Sequence, residues 1–501
     1  MKKIIKISFL LSALVFVSCD KVLYPPTLFN EGNVKADNET ENQFSKKADI
    51  EGLRNTLYND WMRGIQEKDY CDWLIYTECR ADNAYAGSPS TGEIVALESN
   101  KQDANNKNVM RDWDWYLSQI NNSNQLICNI DEVAEKDPSL TAEERDMWKA
   151  EMLIWRSYLL FKMTCLWGDV PMVTTIPPAI TAENIEEVYS QYFPARKPLS
   201  EVYARIIEDL EFAAKHAPQV DNSNKMLMSK AVAQGLLARV YAEKPSRDWA
   251  KVERACKAVE DMGFTLVDDY AYMWSYDETD AVRNTSESIL EVTWTRSQGN
   301  WFWMMFHRNA YNPADNFSWS KWCTPSRDLI AAYEAEGDTK RKNACIVFDK
   351  CSWSHYYPGD KYAFMHKTPT NASSAILMRL GEIYLLHAEA LAMQNKLSEA
   401  ASYVNKIRKR AGLANLTSSA SASQEAMIDA ILKERRLELA FEGFRFFDLV
   451  RHNKAAEVCA AVAQSDNYWA ARNPLTPETI LLPVSHDACE KNPSLVQNPG
   501  Y

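Results

Sequence analysis

The run Lys433-Glu-Arg-Arg-Leu-Glu-Leu-Ala-Phe-Glu-Gly-Phe-Arg-Phe-Phe-Asp-Leu-Val-Arg-His452 alternates carboxylates and guanidinium groups with large apolar side chains. Such residues could serve acid/base catalysis or could simply pair with one another. Leu432, Leu437, Leu439, Ala440, Phe441, Phe444 and Phe447 leave little room for a solvated helix face. Unpaired charge at that depth would cost several kcal/mol, on the order of that for a broken buried pair. The spacing therefore predicts pairs such as Arg435–Glu438 and Arg445–Asp448 inside a helical core. Structure explains these charges better than catalysis does.

A second chemistry is carried by aromatic rings. Trp294-Thr-Arg-Ser-Gln-Gly-Asn-Trp301-Phe-Trp303, continuing through Tyr311, Trp319 and Trp322, interleaves rings with Arg296, Gln298, Asn300 and Asn312. Flat aromatic faces suit the apolar side of pyranose rings, and planar polar groups engage pairs of hydroxyls. Trp301, Trp303, Tyr311 and Trp319 are the candidates here, with packing of an irregular loop onto helices as the plain alternative. A second candidate runs from Trp73 to Tyr85 and includes Arg80, Asp82 and Asn83; Asp and Asn also shape loops. Trp113 and Trp115 sit on a helical pattern and are read as core. Only seven His are present, without metal-ligand spacing. There is no Gly-x-Ser-x-Gly, His-Glu-x-x-His or phosphate loop, so neither a catalytic centre, a metal nor a cofactor is expected. A carboxylate pair for glycoside hydrolysis is set by separation in space and stays open at this level, as does a bound calcium ion.

The elements that must position these residues are mainly helical. Trp148, Met152, Trp155, Leu159, Met163 and Leu166 form a long stripe that Gly168-Asp-Val-Pro171 stops. Gly235 to Tyr241 precedes a helix bearing Val252, Ala255, Cys256 and Val259, closed by Gly263. Gly381 to Leu391 likewise precedes Ala400, Val404 and Ile407, closed by Gly412. These read as tetratricopeptide-like hairpins, which bury their faces only by stacking into a superhelical scaffold. Between the hairpins, residues 268–375 lose periodicity and form an aromatic-rich irregular insertion. Short β pieces such as Ser288 to Trp294 are expected in it.

The N-terminus has a basic stretch, Met1-Lys-Lys-Ile-Ile-Lys, then an apolar run from Ile7 to Val17 that is too short for a bilayer. It ends at Val17-Ser18-Cys19, which looks like a bacterial lipobox. The reading is a signal peptide over 1–18, a lipidated Cys19, a polar tether over 19–45 and one helical-repeat domain over 46–501. Removing Lys2, Lys3 and Lys6 leaves 53 basic against 68 acidic residues, a net charge of −15. That balance argues against nucleic acid and against anionic polymers as partners. Ten cysteines follow Cys19. Cys71/Cys79 and Cys345/Cys351 are close in sequence, and disulfides and buried free thiols both remain open.

Several segments resemble one family. Arg156-Ser-Tyr-Leu-Leu-Phe with Trp167-Gly-Asp-Val-Pro171, Arg379 through Ala390, Asn405 through Gly412, the Lys433–His452 run, Leu482-Pro-Val and the ending Asn492 to Tyr501 look like blocks of the SusD/RagB-like outer-membrane lipoproteins. Phe444 stands where that family usually has a polar residue, and His452-Asn453 where Trp-Gly is common. The resemblance implies a lipid-anchored protein on the cell exterior that binds carbohydrate without transforming it. It also implies delivery of the glycan to a SusC-like TonB-dependent transporter barrel in the outer membrane. The rival reading is a helical-repeat adaptor for protein partners, with no sugar ligand.

Overall fold

The computed structural model describes residues 44–87, 92–307, 310–311, 322–351 and 355–501. The expected signal peptide over 1–18, Cys19, nearly all of the expected 19–45 tether and Trp319 lie outside them. Helices dominate. α1 (Lys47–Ile65), α2 (Lys107–Lys136), α3 (Ala142–Trp167), α4 (Leu199–His216), α5 (Lys230–Ala242) and α6 (Trp249–Glu260) pack in series, each against the next. After the insertion, α8 (Leu380–Met393), α9 (Leu397–Ala411) and α10 (Gln424–Glu438) continue the stack, with α8 laid on α6. The two expected hairpins are α5/α6 and α8/α9, and their apposition gives the superhelical scaffold.

The physical causes are local. Thr141 caps α3 and closes a capping box with Glu144, while Gly168 (φ +74°) ends it. The stripe from Trp148 to Leu166 is buried throughout. α3 also buries Arg156, whose guanidinium meets Asp209 of α4 at 2.7 Å. Trp113 and Trp115 are core, as expected. Gly381 is required by close approach: a Cβ there would lie 2.9 Å from a Glu287 carboxylate oxygen and 3.0 Å from one of Glu438.

The 433–452 run is not one helix. α10 stops at Glu438, the chain reverses through 439–444, and α11 (Arg445–Arg451) departs from it. Phe441 (φ +64°) and Gly443 (φ +85°) take left-handed conformations in the reversal. Trp73 is set tightly against this turn and donates from Nε1 to the Gly443 carbonyl at 2.9 Å. The pairing differs accordingly from the i,i+3 expectation. Arg435 meets Asp448 across the turn at 2.8 Å. Arg445 grips Asp82 with two bonds of 2.8 Å. Glu438 binds Arg379 at 2.6 Å, Arg341 at 3.1 Å and also Arg410. Arg379 in turn meets Glu287 at 2.7 Å and Glu442 at 2.7 Å. All of these groups are almost entirely sealed from solvent. Burial would raise the Glu438 carboxyl, but Arg410, Arg379 and Arg341 together hold it well below the usual carboxylate range.

The 268–375 insertion is more regular than its composition suggests. It holds β2 (Ser288–Val292), β3 (Thr324–Pro325), α7 (Arg327–Glu336), a short helix Thr339–Cys345, and β4 (Ile346–Asp349) and β5 (Tyr362–Met365). β4 pairs antiparallel with β5, and β2 with β6 (Ala375–Arg379). α7 buries only Leu329 and Tyr333, too narrow a stripe to register as helical periodicity. Among the described residues all ten cysteines are free thiols, and no helix is long and apolar enough to cross a membrane.

Candidate functional site

Two π-helical turns, Gln66–Cys71 and Ile75–Cys79, carry the chain on from α1. Beyond them β1 (Ala84–Tyr85) pairs antiparallel with β3, Tyr85 opposite Thr324. This two-stranded stem supports a cluster of rings. Tyr85 stacks on Tyr356 at 4.6 Å and 13°, and lies 4.8 Å from Trp469. Tyr356 donates to the Ala86 carbonyl at 3.0 Å, and Tyr357 to that of Pro325 at 2.7 Å. Tyr468 covers the outer side, 5.3 Å from Tyr356 and 5.8 Å from His355, and is 45% exposed.

Arg327, at the start of α7, ties the cluster together. Its guanidinium lies 4.9 Å from the Tyr468 ring and 4.7 Å from Tyr357, and Nη1 donates to the Tyr85 hydroxyl at 3.0 Å. Asp466 accepts from the Tyr85 hydroxyl and, at 3.0 Å, from the Tyr468 backbone N–H. Arg327, Asp328, Ala331, Ser465, Asp466, Asn467 and Tyr468 line an open cleft of about 480 Å³. That is within the range of small-ligand sites. An exposed ring face, one guanidinium, two carboxylates and an amide can stack a pyranose and exchange hydrogen bonds with its hydroxyls.

The residues expected from sequence fall into three sets. Arg80, Asp82, Asn83 and Tyr85 are buried, and each bonds neighbouring protein groups. Arg80 donates to the carbonyls of Thr479 and Ile480 and lies 4.3 Å from the Phe446 ring; burial lowers its pKa to about 10. Asp82 is held by Arg445 and Arg436, and Asn83 by Glu78 and Arg436. In this structure these three side chains tie neighbouring elements together. Tyr85 is likewise the floor of the ring cluster. Trp303 is also buried.

Trp301 and Tyr311 are half-buried. Tyr311 packs edge-on against the exposed Tyr276 at 5.9 Å, with Arg296 over its ring at 4.4 Å, so an aromatic–arginine patch does form in the insertion. Trp73 lines an internal cavity between α3, α5, α8 and the 439–447 turn, beside Lys162 and Phe447. That cavity measures about 70 Å³, room for a few waters and not for a sugar chain. Sequence reasoning missed Tyr468, Arg327, Tyr356 and Tyr357. The adjacent rings in Asp466-Asn-Tyr-Trp469 and His355-Tyr-Tyr357 were the available signal.

The most perturbed carboxyl near the cleft is Glu98. Burial raises it to about 7, against Arg472 and a 2.6 Å bond from Trp469 Nε1. It is 7% exposed and sits behind Trp469, closed to a substrate in the cleft. Among the described residues no three His, Cys, Asp or Glu side chains could hold a metal ion.

Comparison with known proteins agrees with this architecture. Residues 285–501 match the model described as SusD family, and residues 33–242 match one described as starch-binding associating with outer membrane. The SusD-like protein P2 of Formosa agariphila is 23% identical over 99% of both chains. A SusD-like protein of Bacteroides ovatus is 24% identical over 72% of this chain and 67% of its own. Among solved structures, a laminarin-binding SusD-like protein superposes with a TM-score of 0.72 at 23% identity, covering 91% of this chain and all of that one. Surface glycan-binding protein A from Bacteroides uniformis gives 0.72 at 22% identity, covering 90% and 99%. With two family models spanning most of its length and the same helical superhelix throughout, this chain belongs to the SusD/RagB-like family.

Proposed function

We propose that this protein is a non-catalytic, lipid-anchored glycan-binding protein of the outer-membrane exterior. It captures a neutral oligo- or polysaccharide and passes it to a SusC-like TonB-dependent transporter. The cleft under Tyr468 carries the reading: an exposed ring beside Arg327, with Asp328 and Asp466 flanking it. One guanidinium against two carboxylates, in a chain of net charge −12, disfavours sulfated or uronic polymers. The structural neighbours described above, one laminarin-binding and one a surface glycan-binding protein, support carbohydrate as the ligand class. Anchoring through Cys19, the outward orientation and the barrel partner rest on the lipobox and the family resemblance. Trp301, Tyr311 and Trp319 remain proposed contacts for a longer chain.

The test is retention in affinity gels cast with neutral polysaccharides, after a glycan array chooses them. Tyr468→Ala is expected to weaken binding on the order of tenfold, the worth of one stacked ring, and Arg327→Ala to do the same. Unchanged mobility of both variants refutes the cleft. A protein that binds no glycan on the array yet still co-purifies with a barrel would establish the adaptor reading instead.

A further inference from the structure

The Cys79 side chain ends the second π turn and points at β3, about 240 residues further along the chain. Its Sγ lies 3.4 Å from the Trp322 carbonyl oxygen and 3.7 Å from that of Tyr85. The β1–β3 register then places Cys323, the residue before Thr324, against the same spot. Cys323 is close enough to help push the Cys79 thiol up, and both side chains are fully buried.

We propose that Cys79 and Cys323 are a cross-linking site, oxidised to a disulfide as the chain folds outside the reducing cytosol. The inference rests on the export reading of the preceding section. The oxidant is a low-molecular-weight disulfide, RSSR. One cysteine thiolate attacks a sulfur of RSSR and expels RS⁻. The second thiolate attacks the resulting mixed disulfide and expels the other RS⁻. Two protein thiols thus lose two protons and two electrons, and RSSR leaves as two RSH. Burial pushes the Cys79 thiol up, with the neighbouring Cys323 adding to it, so exchange belongs to the folding chain and not to the finished protein. The bond would staple the π turn to β3, beside the ring cluster, fixing the stem that leads into Arg327 on one flank of the cleft.

The experiment refolds the full chain without its leader from denaturant in a mixture of oxidised and reduced glutathione. Remaining thiols are alkylated, and the protein is digested without reductant for mass mapping. The expected product is a peptide joining Cys79 to Cys323, two hydrogens lighter than the free pair. Oxidised protein should melt higher than reduced protein by on the order of 3 °C, a difference that Cys323→Ser abolishes. Recovery of both cysteines in alkylated form overturns the proposal, as does a link from Cys323 to any other cysteine. The peptide map needs no variant, so poor folding of Cys323→Ser leaves the test decisive. Failure of the export reading shows separately, as protein retained inside the cell with an uncleaved leader.

Discussion

Replacing Glu438 by Gln removes one negative charge from the centre of the buried network while keeping the side chain's shape. Three guanidinium groups, from Arg341, Arg379 and Arg410, converge on this carboxylate. Arg379 and Arg410 would then share Glu287, with Glu442 also on Arg379, and Arg341 would retain Glu434 and Asp338. Breaking a buried pair from one side costs roughly 3–5 kcal/mol, because the cation stays behind without its partner. The residual carboxylates screen part of that, so a loss of about 3 kcal/mol is expected at pH 7. Chemical denaturation reads it as a lower midpoint with an unchanged slope. The pH dependence supplies an internal check. Glu438 has a folded pKa well below its unfolded value near 4.5, so its contribution is fully present above pH 4.5 and is lost as pH falls below it. Wild type and Glu438→Gln should therefore converge in acid and separate toward neutrality. A loss under about 1 kcal/mol at pH 7, the size of a surface pair, or a gap that does not narrow in acid, would refute the network as the lock of this core.

Glu98 works with the opposite sign. Its carboxyl is raised to about 7 in the folded state, so its stabilising share is present below about pH 4.5 and lost as pH climbs to 7. Glu98→Gln should flatten that part of the pH–stability curve while leaving glycan retention at pH 6 unchanged; an identical curve would show the site to be more solvated than its burial indicates. Gly443→Ala puts a methyl group at φ +85° against the Trp73 ring. A cost of roughly 2 kcal/mol, from backbone strain and displaced packing, should appear in denaturant unfolding with the circular dichroism of the helices intact. A neutral result would mean that the 439–444 reversal is easily remodelled.

The helical scaffold was legible because its signals are local. Stripes such as Trp148–Leu166 and stops such as Gly168 and Gly412 act within a few residues of where they are read. The charged run near residue 440 was legible in kind but not in partners. Its composition showed that the charges must pair, but a spacing rule assumes an unbroken helix, and the reversal at Phe441 and Gly443 hands each charge to a different element. The proposed binding face was the least legible part. Arg80, Asp82 and Asn83 carry the right chemistry for sugar, yet each is engaged by residues far along the chain: Arg80 by backbone carbonyls, Asp82 by two arginines and Asn83 by Arg436. Tyr468 and Arg327 gain significance only because the β1–β3 stem brings Tyr85 between them. Nothing in either local sequence announces that meeting.

The β1–β3 pairing also sets an order of events. Residues 84–85 cannot meet residues 324–325 until more than half the chain has been made, and Tyr468 and Trp469 arrive later still. Closing so wide a loop has an entropic cost that only the assembled helices can offset. The cleft is therefore among the last things to form, and a truncated or stalled chain presents none of it. On the proposed function, ligand capture thus reports that folding is complete, and incompletely folded copies would not compete for glycan.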